Sequence, residues 1–470
     1  MENYITSFSE TVAQGQAHHL FLEFLLILWV LWLISKKSKK DGLKLTESEK
    51  DALIRDFEPE PLVTDVSSTH YALKPRIVRG KVGKHVNVDG VECLNFATHN
   101  YLGFIGDPEI EEKAVKSIEK YGVGSCGPRG FYGTSEVHLE LEQRLAQFMD
   151  MEDAVVYSYA FSTIASAIPA YAKKGDIVFV DEKVNFAIQK GLDASRSIIK
   201  YFKHNDMEDL NKILEETRQA DLKNTKKASR SRRFLVVEGI YANTGEICPL
   251  PELIELRKKY KLRIFIDESI SFGVLGKTGR GVTEHYGIDK AEVDLVMASL
   301  EHSLASIGGF CVGSTFIVDH QRLSGLGYCF SASLPPLLVM AAIEALKYID
   351  DHPELLDKLK QLCQVMHKRL NASAVIAEHF TVNGDPDSPI HLLALKPHHT
   401  NKQFLINDII ESCLQEQKAV SRVAYLEPGD ISRPTASLRI TTSVFLSEES
   451  IGDLVDTLES VCRTRLSVTS

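Results

Sequence analysis

Asp294-Leu295-Val296-Met297-Ala298-Ser299-Leu300-Glu301-His302-Ser303-Leu304-Ala305-Ser306-Ile307-Gly308-Gly309-Phe310 is an apolar strand that runs into a polar turn and closes on a Gly-Gly pair. Four short apolar runs of the same kind precede it, at 154–157, 177–180, 234–237 and 264–266, with helical stretches between them. Unbroken apolar strands alternating with helices predict βαβ units and a mostly parallel sheet buried on both faces. In such sheets ligands gather at the carboxyl ends of the strands. The residues to inspect therefore lie just past those ends: 158–161, 181–186, 238–241, 267–271 and the turn around His302.

The chain has 470 residues, 44% hydrophobic and 25% charged, enough for two packed domains with sizeable cores. A formal charge of -10 leaves no basic surface for phosphate backbones, which excludes nucleic acid as a partner. Eight cysteines are scattered without Cys-x-x-Cys spacing, so neither a zinc site nor a disulfide framework is expected, and no metal is assigned.

Residues 20–34 are apolar except for Glu23, and with their flanks approach the ~20 residues that a membrane helix needs. Lys36, Lys37, Lys39 and Lys40 follow at once, which marks the cytosolic side. A cleaved signal peptide would carry its basic residues before the apolar core instead. The reading is a lumenal segment 1–17, a single transmembrane helix 18–35 and a cytosolic linker and arm 36–93 that includes Glu58-Pro59-Glu60-Pro61. A large α/β domain at 94–336 follows, then a smaller α+β domain at 337–470, with strands near 391–395 and 437–443. Its last helix carries Ile451, Leu454, Val455, Leu458 and Val461 at helical spacing. The basic stretch 223–233 reads as a solvated loop, with a contact to anionic lipid or CoA as the alternative.

Between Tyr121 and Thr134 five glycines fall in fourteen residues, and a helix with Val137, Leu141, Leu145 and Phe148 follows, capped by Thr134 or Ser135. A glycine-rich loop feeding a helix N-terminus is a place for a phosphate. This loop, written Gly-x-Gly-Ser-x-Gly-x-Arg and continuing to His138, Leu141 and Glu142, stands with several other signatures. They are Asn95-Phe96…Tyr101-Leu102-Gly103, Glu238-Gly239, Gly273-x-x-Gly276-x-x-Gly279-Arg280-Gly281 and Phe330-Ser331-Ala332-Ser333-Leu334-Pro335-Pro336. Over roughly residues 60 to 460 the chain resembles the α-oxoamine synthases, fold-type I pyridoxal-phosphate enzymes that join an amino acid to an acyl-CoA. The resemblance implies a mostly parallel seven-stranded sheet. It also implies that the glycine loop reaches a neighbouring subunit's site: Gly133 and Thr134 toward the partner's phosphate, Arg129 and Tyr132 at the entrance. Cys126 replaces a glycine of the family there.

Against that family, three working residues are missing together. His302 stands where the family has the lysine that bonds the cofactor aldehyde, and imidazole forms no stable imine. Asn185 stands at the ring-stacking histidine, with Phe186 expected to point elsewhere by strand alternation. Ile270 replaces the histidine that follows Asp267, the strand-terminal acid that holds the pyridine nitrogen. Glu238 and Asp267 remain, and Arg439 falls near the arginine that grips a substrate carboxylate. The resemblance then implies a non-catalytic but required acyltransferase subunit in the endoplasmic-reticulum membrane. Pyridoxal phosphate would be bound covalently by a lysine-bearing partner, and small membrane regulatory subunits are further implied partners. Two other readings stand beside it: an autonomous enzyme using Lys277 or Lys183, and a membrane scaffold that keeps only the fold.

Overall fold

The computed structural model describes residues 17–37, 45–63, 73–423 and 436–466. The chain divides after Pro75 into two units. The first holds two helices, Ala17–Lys37 and Glu47–Asp56. Thr46 and Glu49 form a reciprocal capping box at the second. On the first, the large apolar side chains from Phe21 to Ile34 are exposed. The expected span falls on this helix, yet no helix among the described residues is long and apolar enough to cross a membrane. Residues 1–16, Lys39 and Lys40 lie outside the described residues.

In the second unit the strands are numbered in chain order. The arm carries β1 (Val78–Arg79), β2 (His85–Val88) and β3 (Val91–Asn95), so its last part is sheet rather than connector. The large domain carries β4 (Asp153–Tyr157), β5 (Ile177–Asp181), β6 (Ile198–Phe202), β7 (Arg233–Glu238), β8 (Arg263–Asp267), β9 (Leu295–Ser299) and β10 (Gly309–Gly313). These seven form one sheet in the order β4-β10-β9-β8-β7-β5-β6. Strand β10 runs antiparallel to β4 and β9, and the other neighbours are parallel. Two of the seven were not expected. Strand β6 is the half-covered edge and lacks a continuous buried run, while β10 begins and ends in glycine and reads as a turn. Gly309 is required there, because a Cβ would lie 2.9 Å from Ala160 Cα.

The small domain carries β11 (Phe380–Asn383), β12 (Ile390–Leu395), β13 (Lys418–Ala419), β14 (Ser421–Arg422) and β15 (Ser437–Thr441). Strands β11-β12-β15-β14 make its sheet, and β13 joins β3 in parallel. Its core gathers Met366, Leu393, Ile406, Ile409 and Leu438 with Leu454 and Leu458 of the closing helix Glu448–Arg465. All five apolar residues of that helix named by spacing are buried, each contributing ~1.5–3 kcal/mol by leaving water. Part of the basic stretch is structured rather than free: Arg232 Nη2 lies 2.7 Å from Asp176 Oδ2, and Arg233 pairs with Asp221.

Candidate cofactor pocket and glycine loop

Strands β7 and β8 end side by side, with Glu238 and Asp267 as register partners, and both side chains are buried. Two carboxylates about 5 Å apart repel by about 3 kcal/mol at an effective dielectric near 20, so the pair does not easily ionise twice. Burial, then the charge of Asp267, pushes Glu238 up to about 8, and burial also raises Asp267. Asn185 binds both acids. Its backbone N–H donates to Glu238 Oε1 at 2.6 Å, and its Nδ2 donates to Asp267 Oδ2 at 2.7 Å. Meanwhile its Oδ1 accepts from Ile188 N–H at 3.1 Å and caps the helix Phe186–Ser195. The remaining oxygens are also occupied: Ser269 N–H reaches Asp267 Oδ1 at 2.9 Å, and Ala242 N–H reaches Glu238 Oε2 at 3.0 Å. Next to them Glu268, raised by burial to about 7, accepts from Val282 N–H at 3.0 Å and from the Ser271 hydroxyl.

The expectation for Phe186 is corrected here. The strand ends at Asp181, so alternation no longer applies; Phe186 is the first residue of a helix and stacks on Phe161, with ring centroids 6.4 Å apart.

His302 sits in the turn after β9, and its Nδ1–H donates to Ser269 C=O at 2.8 Å. Its ring lies 4.6 Å from that of His99, whose Nδ1 is 2.5 Å from the Tyr101 hydroxyl. Burial holds both imidazoles below their ordinary range, with Arg439 adding to the shift, so both are neutral at pH 7. Arg439, on β15, thus joins the pocket electrostatically, and its Nη2 is 3.4 Å from Ala97 C=O. Ile270 is buried in the large core. His99 and Tyr101 went unassigned in the sequence, where their segment reads only as the opening of the domain.

These residues do not fit covalently held pyridoxal phosphate. No primary amine stands at position 302, and a pyridine nitrogen approaching Asp267 would have to displace the Asn185 amide. Neither alternative lysine is among the groups that act on Glu238 or Asp267. Lys277 is exposed on a separate cleft with His285, Lys360 and Asp387.

The glycine loop, by contrast, is built in full. Arg129 faces inward rather than toward an entrance: its guanidinium grips Glu142 through two bonds of 2.9 Å, both side chains buried. Its Nε donates to Thr134 Oγ1 at 3.0 Å. Glu142 also accepts from Val156 N–H at 2.9 Å, which fastens the loop to β4. Ser333 N–H donates to Gly127 C=O at 2.9 Å and the Ser125 hydroxyl to Ser333 C=O at 2.7 Å. His138 Nε2–H donates to Leu334 C=O at 2.7 Å while its Nδ1 accepts from Ser135 N–H at 3.0 Å; Ser135, not Thr134, is the cap of Glu136–Met149. Two sequence motifs are therefore one interlocked unit. Tyr132 lies fully exposed at φ 65°, a left-handed conformation that costs about 1 kcal/mol in a residue of this size. Gly133 next to it admits no side chain, since a Cβ would stand 2.0 Å from Gly127 C=O. Cys126, at φ 59°, is exposed on the same loop.

Because the folded acids hold protons that the unfolded chain releases from about pH 4.5, stability falls as pH rises through that range toward about 8. The Asn185 amide is worth more to a charged acceptor than to a neutral one. Asn185→Ala is expected to destabilise the chain by about 1 kcal/mol in urea unfolding, with a loss that grows as pH rises and Asp267 gives up its proton. A loss independent of pH would reduce Asn185 to a helix cap.

Comparison with known proteins agrees with this fold. The class I and II aminotransferase family matches residues 91–458. Long chain base biosynthesis protein 1b of Oryza sativa subsp. japonica is 42% identical over 447 residues, 94% of this chain and 91% of that protein. Serine palmitoyltransferase 1 of Dictyostelium discoideum is 39% identical over 459 residues, 96% of this chain and 95% of that one. Among solved structures, the serine palmitoyltransferase of Sphingomonas wittichii superposes with a TM-score of 0.74 at 25% identity, covering 92% of this chain and 99% of that one. An S. paucimobilis serine palmitoyltransferase solved with PLP and myriocin gives 0.73 at 25%, again covering 92% and 99%. The chain belongs to the serine palmitoyltransferase 1 family, within the class I and II aminotransferases.

Proposed function

We propose that this chain is the non-catalytic but required subunit of a serine palmitoyltransferase heterodimer. The complex would condense L-serine with palmitoyl-CoA to 3-ketosphinganine, CoA and CO2, the first step of sphingolipid synthesis. The observation that carries the reading is the pocket itself: His302 offers no amine, and Asn185 occupies the acid that a cofactor ring would need. The cofactor lysine then belongs to the partner. What this chain contributes is the loop held by Arg129 and Glu142, with Gly133 and Thr134 directed to the partner's phosphate and Tyr132 and Cys126 at the contact.

Serine-dependent CoA release tests this directly. This chain alone, the lysine-bearing subunit alone and His302→Lys alone are expected to be silent, and the mixture active. Gly133→Val in this chain should depress the mixture's turnover, because the loop cannot close over a side chain. Robust turnover by His302→Lys alone would overturn the division of roles, and unchanged turnover with Gly133→Val would remove the loop from the site.

We extend the proposal to a single anchor in the endoplasmic-reticulum membrane with the remainder cytosolic, on the apolar run 20–34 and the lysines that follow it in the sequence. Alkaline extraction of membranes should leave the full chain in the pellet and release a chain lacking residues 1–44. Release of the full chain would contradict the anchor.

A further inference from the structure

The small domain carries a cluster that the subunit role leaves unused. Strands β11 and β12 are antiparallel with Phe380 opposite Leu395, so His379, the last residue of the helix Ala374–His379, meets the chain as it leaves β12. Lys396 N–H donates to His379 C=O at 3.0 Å and fixes that crossing. The turn that follows sets down His398 and His399. One ring nitrogen from each of the three histidines lies within 4.8 Å of the other two. His379 and His399 are only 7% and 8% exposed, and His379 Nδ1 stands 3.3 Å from His399 Nε2. Among the described residues, neither of these two nitrogens has another partner. A four-coordinate zinc ion with Zn–N near 2.1 Å spaces its ligand nitrogens about 3.4 Å apart, so this pair already has the edge length of such a site. His398, exposed and with its ring tilted 42° against that of His399 at 4.1 Å between centroids, needs only a small side-chain movement to complete three ligands. The nearby cations are held on backbone carbonyls, Lys396 Nζ on Ala377 C=O and Lys402 Nζ on Leu395 C=O at 3.0 Å, and burial, with their charges adding to it, favours the neutral form of His379 and His399.

We propose that His379, His398 and His399 bind a zinc-class divalent cation, which fastens the turn after β12 to the junction of the helix Ala374–His379 with β11. Three neutral imidazoles suit late first-row divalent metals and leave a fourth position to water. The site was invisible in the sequence because its ligands come from two elements joined only by the β11–β12 register.

Chelator-stripped heterodimer titrated with Co2+ should develop the visible absorption of tetrahedral cobalt, saturate at one equivalent of this site and lose it to Zn2+. His398→Gln, at an exposed position that does not support the core, should weaken binding by about tenfold or more and abolish the rise in Tm that Zn2+ gives the wild type. His379→Gln should do the same, while His352→Gln, at a half-buried position outside the cluster, should leave binding intact. Equal Co2+ affinity in wild type and His398→Gln, or no tetrahedral spectrum at one equivalent, would overturn the site.

Discussion

Two buried acids at the ends of neighbouring parallel strands, Glu238 and Asp267, set the terms for this pocket. An acid at the end of a buried strand is stable only if something donates to it. In an enzyme built for a cofactor ring, part of that donation can come from the ring. Here Asn185 supplies it from the protein, with its amide on Asp267, its backbone N–H on Glu238 and its carbonyl on the first turn of the next helix. Both acids are satisfied from within the chain. That single residue ties the two acids to each other and to the start of the next helix.

The glycine loop obeys the opposite logic. Nothing in the chain's own pocket needs Tyr132 held at a positive φ or Gly133 pressed against two carbonyls. Yet the buried Arg129–Glu142 pair, His138 and Ser333 hold this conformation from beneath. Backbone strain of this kind persists where the surroundings over-determine it. A rigid loop that presents its side chains outward makes sense as one wall of a site completed by another subunit.

How much was legible in the residues follows from the physics of each element. Fully buried parallel strands announce themselves as apolar runs, and β4, β5, β7, β8 and β9 were all visible that way. Strand β10, flanked by glycines, and the half-covered edge β6 were not, since neither pattern differs locally from a turn or an amphipathic stretch. The identities of His302, Asn185 and Ile270 marked the departures from the family pattern. The contacts Asn185 makes with Glu238 and Asp267 did not show, because they depend on the β7–β8 register and on a helix beginning at Phe186. Arg129 misled for a related reason: its carboxylate partner lies a helix away, and only the folded chain turns it inward. His99 came to His302 through tertiary packing alone.

The central claim is that cofactor chemistry resides in the partner. Borohydride reduction of the active heterodimer, followed by digestion and peptide mapping by mass spectrometry, reads this directly. The account predicts a pyridoxyl group on a lysine of the partner and none on this chain; a pyridoxyl-lysine at Lys277, Lys183 or any other lysine of this chain would contradict it.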